Sequence, residues 1–235
     1  MRLSRRHFSV KTTAILWLAG AAPIAHPANP LSVPPYSPSG SEPVPCQKIQ
    51  RCGATVTYQG CDWPGAAANP ESGARQFLAA FGPGLGLDQA HLRTAEVKMG
   101  LTGAHARFEQ VYENRRVVGA EVVVTSDPDG RIRKVLSSYF PVEKVWGSKT
   151  PTLSAEEAEA VGRAAIGRSA GALPPLRLPT RSELVWFPIA GTGMVLLAWE
   201  LMIHGDTPFL GDYLTRVDAH SGTVLQQEDW LVNGK

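Results

Sequence analysis

Residues 105–112 read His-Ala-Arg-Phe-Glu-Gln-Val-Tyr, and this stretch decides the fold. Successive side chains of a strand point to opposite faces, so one face carries Ala106, Phe108, Gln110 and Tyr112. The odd-numbered residues, most of them charged or polar, occupy the other face. The two aromatic side chains suit a core that a helix covers. The stretch therefore predicts a strand with one buried face and one exposed face.

Three further strand-like runs surround this strand, at 94–99, 117–125 and 131–139, and the strand itself extends over 105–113. The residues Asp-Pro-Asp-Gly at 127–130 favour a tight turn between the last two runs.

An amphipathic helix is predicted before these strands. Asn69 can cap it, and Pro70 suits its first position. Apolar residues then recur at i, i+3, i+4 and i+7 from Ala74 to Phe81, which gives the helix a single apolar face. Gly82 is expected to end it.

The second half of the chain repeats this order. Ser154 and Glu157 have the spacing of a capping box at the start of a helix that Gly167 can end. Strands are predicted at 182–187, 194–203, 212–218 and 223–231, with Trp186 and Trp199 as core residues. The sequence therefore predicts an α+β fold of two modules, each a helix packed on a curved antiparallel sheet.

The first 28 residues have the pattern of an export signal. A basic start containing Arg5 and Arg6 precedes an apolar run that is too short to span a bilayer. The order Ser-Arg-Arg-x-Phe-x-x-Lys resembles the twin-arginine signal, and an ordinary Sec signal is the alternative. Either route predicts a secreted, periplasmic or cell-envelope protein with no membrane span after signal removal.

Residues 29–70 are predicted to form a Pro-rich, Cys-containing linker. Nine of the 19 prolines lie between residues 27 and 70, and proline both fixes φ and removes a backbone donor. The three cysteines, Cys46, Cys52 and Cys61, lie close together. In an oxidising compartment one pair is expected to form a disulfide, and the spacing leaves all three pairings open.

Charge and motifs exclude several classes of function. The net charge of +2 becomes −2 without residues 1–28, and no basic run exceeds Arg115-Arg116, so no nucleic-acid partner is expected. The sequence contains no His-Glu-x-x-His, no Gly-x-Ser-x-Gly and no Gly-rich phosphate loop. The pairs His204/Asp206 and Asp218/His220 are interpreted as turn residues. We therefore predict no catalytic residues, no cofactor and no metal site.

Several motifs, taken in order, resemble the prosegments of thermolysin-type and fungalysin-type metallopeptidases. Residues 105–112 follow the pattern His-x-Arg-aromatic-x-Gln-x-aromatic of the FTP-like part, and residues 117–124 and 130–132 continue it. Residues 153–158 and 217–225, with Leu-Ala-Trp-Glu at 197–200, are similar to the PepSY-like part. Together the motifs extend over about residues 71–232.

This resemblance implies an FTP-like module over 71–148 and a PepSY-like module over 149–235. The chain departs from the family pattern in two ways. It has Asn-Arg-Arg at 114–116, where members commonly have Gly and then Pro. It also shows no protease domain after the prosegment-like part, so a stand-alone prosegment is expected.

The resemblance further implies a secreted, non-catalytic protein. Such a protein would bind a thermolysin-like metallopeptidase in trans and would inhibit it or assist its folding, with edge strands free to pair with an extended cleft. The family-motif residues are His105, Arg107, Gln110, Tyr112 and Gly119, which serve either structural hydrogen bonding or contact with a partner. The alternative is a cell-envelope structural or ligand-binding module that reuses the fold.

Overall fold

A computed structural model describes residues 46, 48–52, 54–64, 69–167, 175–207 and 210–230. The predicted export signal and the first part of the predicted linker lie outside the described residues.

Both predicted helices are present. Helix α1 is Pro70–Phe81; the Asn69 side chain accepts a hydrogen bond from the backbone of Ser72. Helix α2 is Ala155–Ile166, and Ser154 and Glu157 form both hydrogen bonds of the capping box. The cap residues therefore set both helix starts, as their spacing predicts.

The described residues contain eleven strands. Six lie in the first half: β1 (Lys48–Cys52), β2 (Thr55–Trp63), β3 (Leu92–Gly100), β4 (Gly103–Tyr112), β5 (Arg115–Ser126) and β6 (Ile132–Ser137). Five follow: β7 (Lys144–Trp146), β8 (Arg181–Ile189), β9 (Met194–Gly205), β10 (Gly211–Asp218) and β11 (Val224–Asp229). The eight strands predicted between residues 94 and 231 are confirmed, with ends that differ by at most two residues.

All of these strands belong to one sheet. In the first half the order is β1-β2-β6-β5-β4-β3, and in the second half it is β8-β9-β10-β11. Strand β5 joins the halves because its first part pairs with β8 and its last part with β6. The α+β class is thereby confirmed.

Two pairings are parallel and depart from the predicted antiparallel arrangement. Val117 of β5 pairs with Trp186 of β8, and the short strand β7 pairs with β9. Strand β7 is only three residues long, which is too short for a periodic sequence signal. The division into modules at 148/149 remains a prediction.

The linker prediction is wrong for residues 48–52 and 55–63. These residues form the hairpin of β1 and β2, and β2 pairs with β6 inside the sheet. The reason is local: no proline occurs between Pro45 and Pro64, so every backbone N–H of this stretch can take part in a ladder. Cys61 of β2 forms a disulfide with Cys46.

Both helices cover the same face of the sheet. Helix α1 packs over a core that includes Phe77, Phe108 and Val122, and α2 packs over Leu201 and Ile203. Between these cores lies a third cluster around Val117 and Trp186.

Strand β5 keeps its buried side chains on the helix-covered face by means of a kink. Gly119 has φ +69, and the β4–β5 register shifts nearby. As a result Val117, Ala120 and Val122 are all buried, although strict alternation would turn one of them outward.

Candidate partner-binding surface

The face of the sheet opposite the helices carries two of the predicted motif residues. We call its first half the open face, defined by His105, Arg107, Glu121, Val123, Lys134 and Leu136. Register places these side chains together, because Arg107 pairs with Val123 and Val123 pairs with Leu136. His105 and Arg107 are exposed, and Val123 and Leu136 are half-buried. The open face thus presents cations beside a small apolar centre.

The contacts of His105 and Arg107 are weak and exposed. The His105 Nδ1 lies 3.0 Å from the hydroxyl of Thr125, and an Arg107 Nη1 lies 3.4 Å from the Glu121 carboxylate. Exposed ion pairs contribute little to stability. A partner can therefore replace these contacts at small cost, and both side chains can donate hydrogen bonds to a carboxylate or a carbonyl group.

Gln110 lies on the buried face and holds a distant segment. Its Nε2 donates to the carbonyl oxygen of Phe140 at 2.7 Å, and its Oε1 accepts from the Phe140 N–H at 2.8 Å. The residue is fully buried. Both ends of the amide are thus satisfied by one residue of the β6–β7 connection, which is a structural arrangement.

Tyr112 joins the two halves of the sheet. Its ring meets the Trp186 ring edge-on at 6.2 Å and the His91 ring at 5.6 Å. The Trp186 Nε1 donates to the Tyr112 carbonyl oxygen at 2.8 Å. Gly119, the fifth motif residue, forms the β5 kink, and its carbonyl oxygen accepts from the Ser138 hydroxyl at 2.8 Å. The five motif residues therefore do not form one cluster.

A charged cluster between the halves is a feature that sequence reasoning missed. The Glu200 carboxylate accepts a hydrogen bond from Arg216 Nε at 2.8 Å and also forms an ion pair with Arg116. The side chains of Arg216, Glu200 and Arg116 are only 9%, 15% and 22% exposed. Arg216 also donates to Gln226 at 2.6 Å. The only sequence signal was the presence of charged residues in otherwise apolar strands.

The hairpin of β3 and β4 ends in an exposed apolar strip. Strand β3 pairs with β4 alone among the described strands. On its outer part Val97 is 37% exposed and Met99 is 68% exposed, and Leu101 in the following turn is fully exposed. We call residues 96–101 the β3 edge. The sequence predicts that an edge strand is free but does not identify which one.

The two predicted Asp/His turn pairs differ in structure. The Asp218 carboxylate accepts from the backbone N–H groups of His220 and Ser221 at 2.7 and 2.9 Å, as a turn residue does. His204 instead contacts Asp212 across the β9–β10 pair, with 2.7 Å between Nδ1 and Oδ1. The turn interpretation is thus confirmed for Asp218 and wrong for His204.

Asp212 has an altered acidity. The hydrogen bond from His204 and the guanidinium of Arg177 at 2.7 Å lower the pKa of the Asp212 carboxyl below its usual value. His204 and Arg177 are thus the side-chain partners of the Asp212 carboxylate. No group of three or more potential metal ligands occurs within the part of the chain that the structure describes.

None of the described helices is long and apolar enough to cross a membrane. The Cys46–Cys61 disulfide is typical of proteins outside the cytoplasm.

Comparison with known proteins identifies one family motif. Residues 91–139 match the Fungalysin/Thermolysin Propeptide Motif. The matched segment extends from the start of β3 to just beyond β6 and includes all five motif residues. A propeptide motif is non-catalytic and indicates a propeptide-like role for a peptidase.

A solved structure that is similar over most of the chain comes from a bacterial protein. It is the Bacillus megaterium YpeB C-terminal domain, with 13% sequence identity and a TM-score of 0.39, and the similarity covers 74% of this chain and 77% of that chain. No curated protein matches the chain. The comparisons thus connect this chain to known proteins through the propeptide motif at residues 91–139.

Proposed function

We propose that the exported chain is a secreted, non-catalytic prosegment-like protein that binds a thermolysin-like metallopeptidase in trans. Binding inhibits the peptidase or assists its folding. The observation that carries this proposal is the propeptide motif at residues 91–139. The proposed modules are the FTP-like part at 71–148 and the PepSY-like part at 149–235.

The open face is the proposed contact surface for the peptidase. His105 and Arg107 belong to the matched segment, yet their side chains are exposed and take no part in the core. The half-buried Val123 and Leu136 beside them offer apolar area to a partner. Apolar area next to hydrogen-bond donors is the usual composition of a protein interface.

Inhibition of purified peptidases tests the proposal. The purified exported chain is mixed with a panel of thermolysin-like enzymes, and peptide hydrolysis is measured, as is recovery of activity when each enzyme refolds in its presence. We expect nanomolar inhibition or improved refolding of at least one enzyme. No effect on any enzyme and no binding would contradict the proposal and favour a cell-envelope module.

A matched pair of variants tests the surface. We expect His105→Ala/Arg107→Ala to weaken inhibition about tenfold or more, because two interface donors are lost. The control Lys144→Ala/Arg181→Ala removes two exposed cations outside the open face and should leave inhibition unchanged. If His105→Ala/Arg107→Ala inhibits as strongly as the control and the wild type, the open face is excluded as the contact surface, while peptidase binding itself is unaffected.

We also propose that export uses the twin-arginine route. Arg5 and Arg6 lie outside the described residues, so this proposal depends on the sequence pattern alone. Replacing both with lysine keeps the charge but removes the paired arginines, and export should stop. Fractionation and immunoblotting measure the outcome. Normal secretion of Arg5→Lys/Arg6→Lys would indicate the ordinary Sec route.

A further inference from the structure

The β3 edge combines an unpaired backbone with exposed apolar side chains. Among the described residues only β4 pairs with β3, so one row of β3 backbone groups has no strand partner. Val97 and Met99 lie two residues apart on one face of β3, and Leu101 is exposed in the turn that follows. Natural proteins usually protect such an edge from pairing with another chain. An edge left in this state indicates an interaction surface.

Two opposite charges flank Val97 on this edge. Glu96 precedes Val97 and Lys98 follows it, and both project to the face opposite Val97, where their charged atoms lie 3.2 Å apart. Their side chains are 43% and 69% exposed. The order along the strand is therefore negative, apolar, positive. When a second copy lies antiparallel, its order is reversed.

We propose that the β3 edge pairs antiparallel with the β3 edge of a second copy of this chain, about a two-fold axis at Val97. This register places Glu96 opposite Lys98 of the second copy and Lys98 opposite its Glu96. Directly opposite residues in antiparallel strands lie about 5 Å apart at Cβ, within reach of an ion pair. The interface is isologous, as in most homodimers.

Neighbouring registers are less favourable. An axis at Lys98 places the two Lys98 ammonium groups opposite each other and sets Glu96 against Gly100, which has no side chain. An axis at Glu96 places two carboxylates together. Like charges directly opposite destabilise a strand pair. Only the axis at Val97 pairs each charge with its opposite.

The apolar side chains support the same arrangement. The two Val97 side chains meet at the axis, and Met99 of each copy extends the apolar strip to either side. A single pair of edge strands buries less area than a standard interface, so the dissociation constant should be on the order of micromolar. The open face stays exposed in such a dimer, so dimerisation does not depend on peptidase binding.

Charge exchange tests this register directly. Sedimentation equilibrium of the purified exported chain over a concentration series should show a monomer–dimer equilibrium. Glu96→Lys and Lys98→Glu each create two like-charge contacts, and each should raise the dissociation constant about tenfold or more. The double exchange Glu96→Lys/Lys98→Glu restores the opposite pairs and should dimerise as the wild type does.

Mixing the two single variants provides a second test. A chain with two lysines then faces a chain with two glutamates, so a heterodimer should form more tightly than either variant dimerises alone. Both sites are exposed, and equal melting temperatures of all variants would show that folding is unaffected.

Three results would overturn the inference. The first is a wild-type chain that stays monomeric at every concentration. Dimerisation that appears only after removal of residues 29–45 counts as the same result, because that segment would then cover the edge. Another is dimerisation that no charge exchange alters. The third is a chain that stays monomeric and that no longer inhibits the peptidase when it carries Glu96→Lys or Lys98→Glu. That result would assign the β3 edge to the peptidase.

Discussion

The residues of β4 show how far a period-two pattern determines side-chain roles. Alternation predicts that Phe108 and Gln110 face inward and that His105 and Arg107 face outward, and burial confirms all four. The same pattern leaves open whether Gln110 serves the fold or a partner. Its two hydrogen bonds reach Phe140, which is 30 residues away. A contact at that separation leaves no trace in the local sequence.

Replacing Gln110 should destabilise the protein. In Gln110→Ala the N–H and the carbonyl group of the half-buried Phe140 both lose their partner, and the free energy of unfolding should fall by about 2 kcal/mol. Urea denaturation measures the change. Arg107→Ala, on the exposed face of the same strand, should change it by less than about 0.5 kcal/mol. Equal losses in both variants would argue against the structural role of Gln110.

Two glycines should respond very differently to alanine. At Gly119 a Cβ meets no atom within 4 Å, so only the φ of +69 opposes it, and the cost should be about 1 kcal/mol. At Gly103 the φ is +129 and a Cβ would lie 1.9 Å from the carbonyl oxygen of Ser126. Gly103→Ala should therefore lose at least about 3 kcal/mol. Thermal unfolding of both variants measures the two losses of stability. A larger loss for Gly119→Ala than for Gly103→Ala would contradict this prediction.

At the scale of elements, caps and alternation account for what could be predicted. Helix starts depend on residues three or four apart, and strands depend on adjacent residues, so the local sequence predicts both. The local sequence does not predict contacts between strands: His204 contacts Asp212 on the next strand and not the nearby Asp206. The hairpin of β1 and β2 was missed because the prolines on either side of it dominated the composition of its surroundings.

The His204–Asp212–Arg177 contact should make stability depend on pH. The pKa of Asp212 is lower in the folded state than in the unfolded state. Its contribution is therefore fully present above the unfolded value of about 3.9 and is lost as the pH falls through the folded value.

Asp212→Asn should thus destabilise the protein at pH 7, with a deficit that shrinks in acid. Urea unfolding at neutral pH and at a pH below the unfolded value gives both numbers. Asp129→Asn, an exposed site in the β5–β6 turn, should follow the wild type at each pH. A deficit of constant size for Asp212→Asn would refute the electrostatic explanation.

At the scale of the whole molecule, the sequence predicts two helix-backed layers but not their union into one sheet. The union depends on the parallel contact of Val117 with Trp186 and on the Glu200 cluster, where Arg116 and Glu200 are 84 residues apart. The open face could be predicted as a face, because alternation fixes it. The exposure of the β3 edge could not be predicted, since it follows from the order of strands in the sheet.

The Glu200 cluster should be important for the stability of the whole sheet. Glu200→Gln leaves Arg116 and Arg216 largely buried without their carboxylate, and the free energy of unfolding should fall by about 2 to 4 kcal/mol. Chemical denaturation followed by tryptophan fluorescence measures it. Glu183, 57% exposed and 3.6 Å from Arg116, gives the control: Glu183→Gln should cost less than about 0.5 kcal/mol. A similar cost for both would indicate that the cluster adds little.

The position of β7 has a consequence for proteolysis. Residues 147–150, which follow β7, are exposed and suit cleavage. A cut there would leave β7 on the N-terminal fragment, still hydrogen-bonded to β9 of the C-terminal fragment. Strand β5 would likewise stay against β8. The nicked chain would therefore hold together without a peptide bond between its halves, and its binding surfaces would outlast the first cleavage.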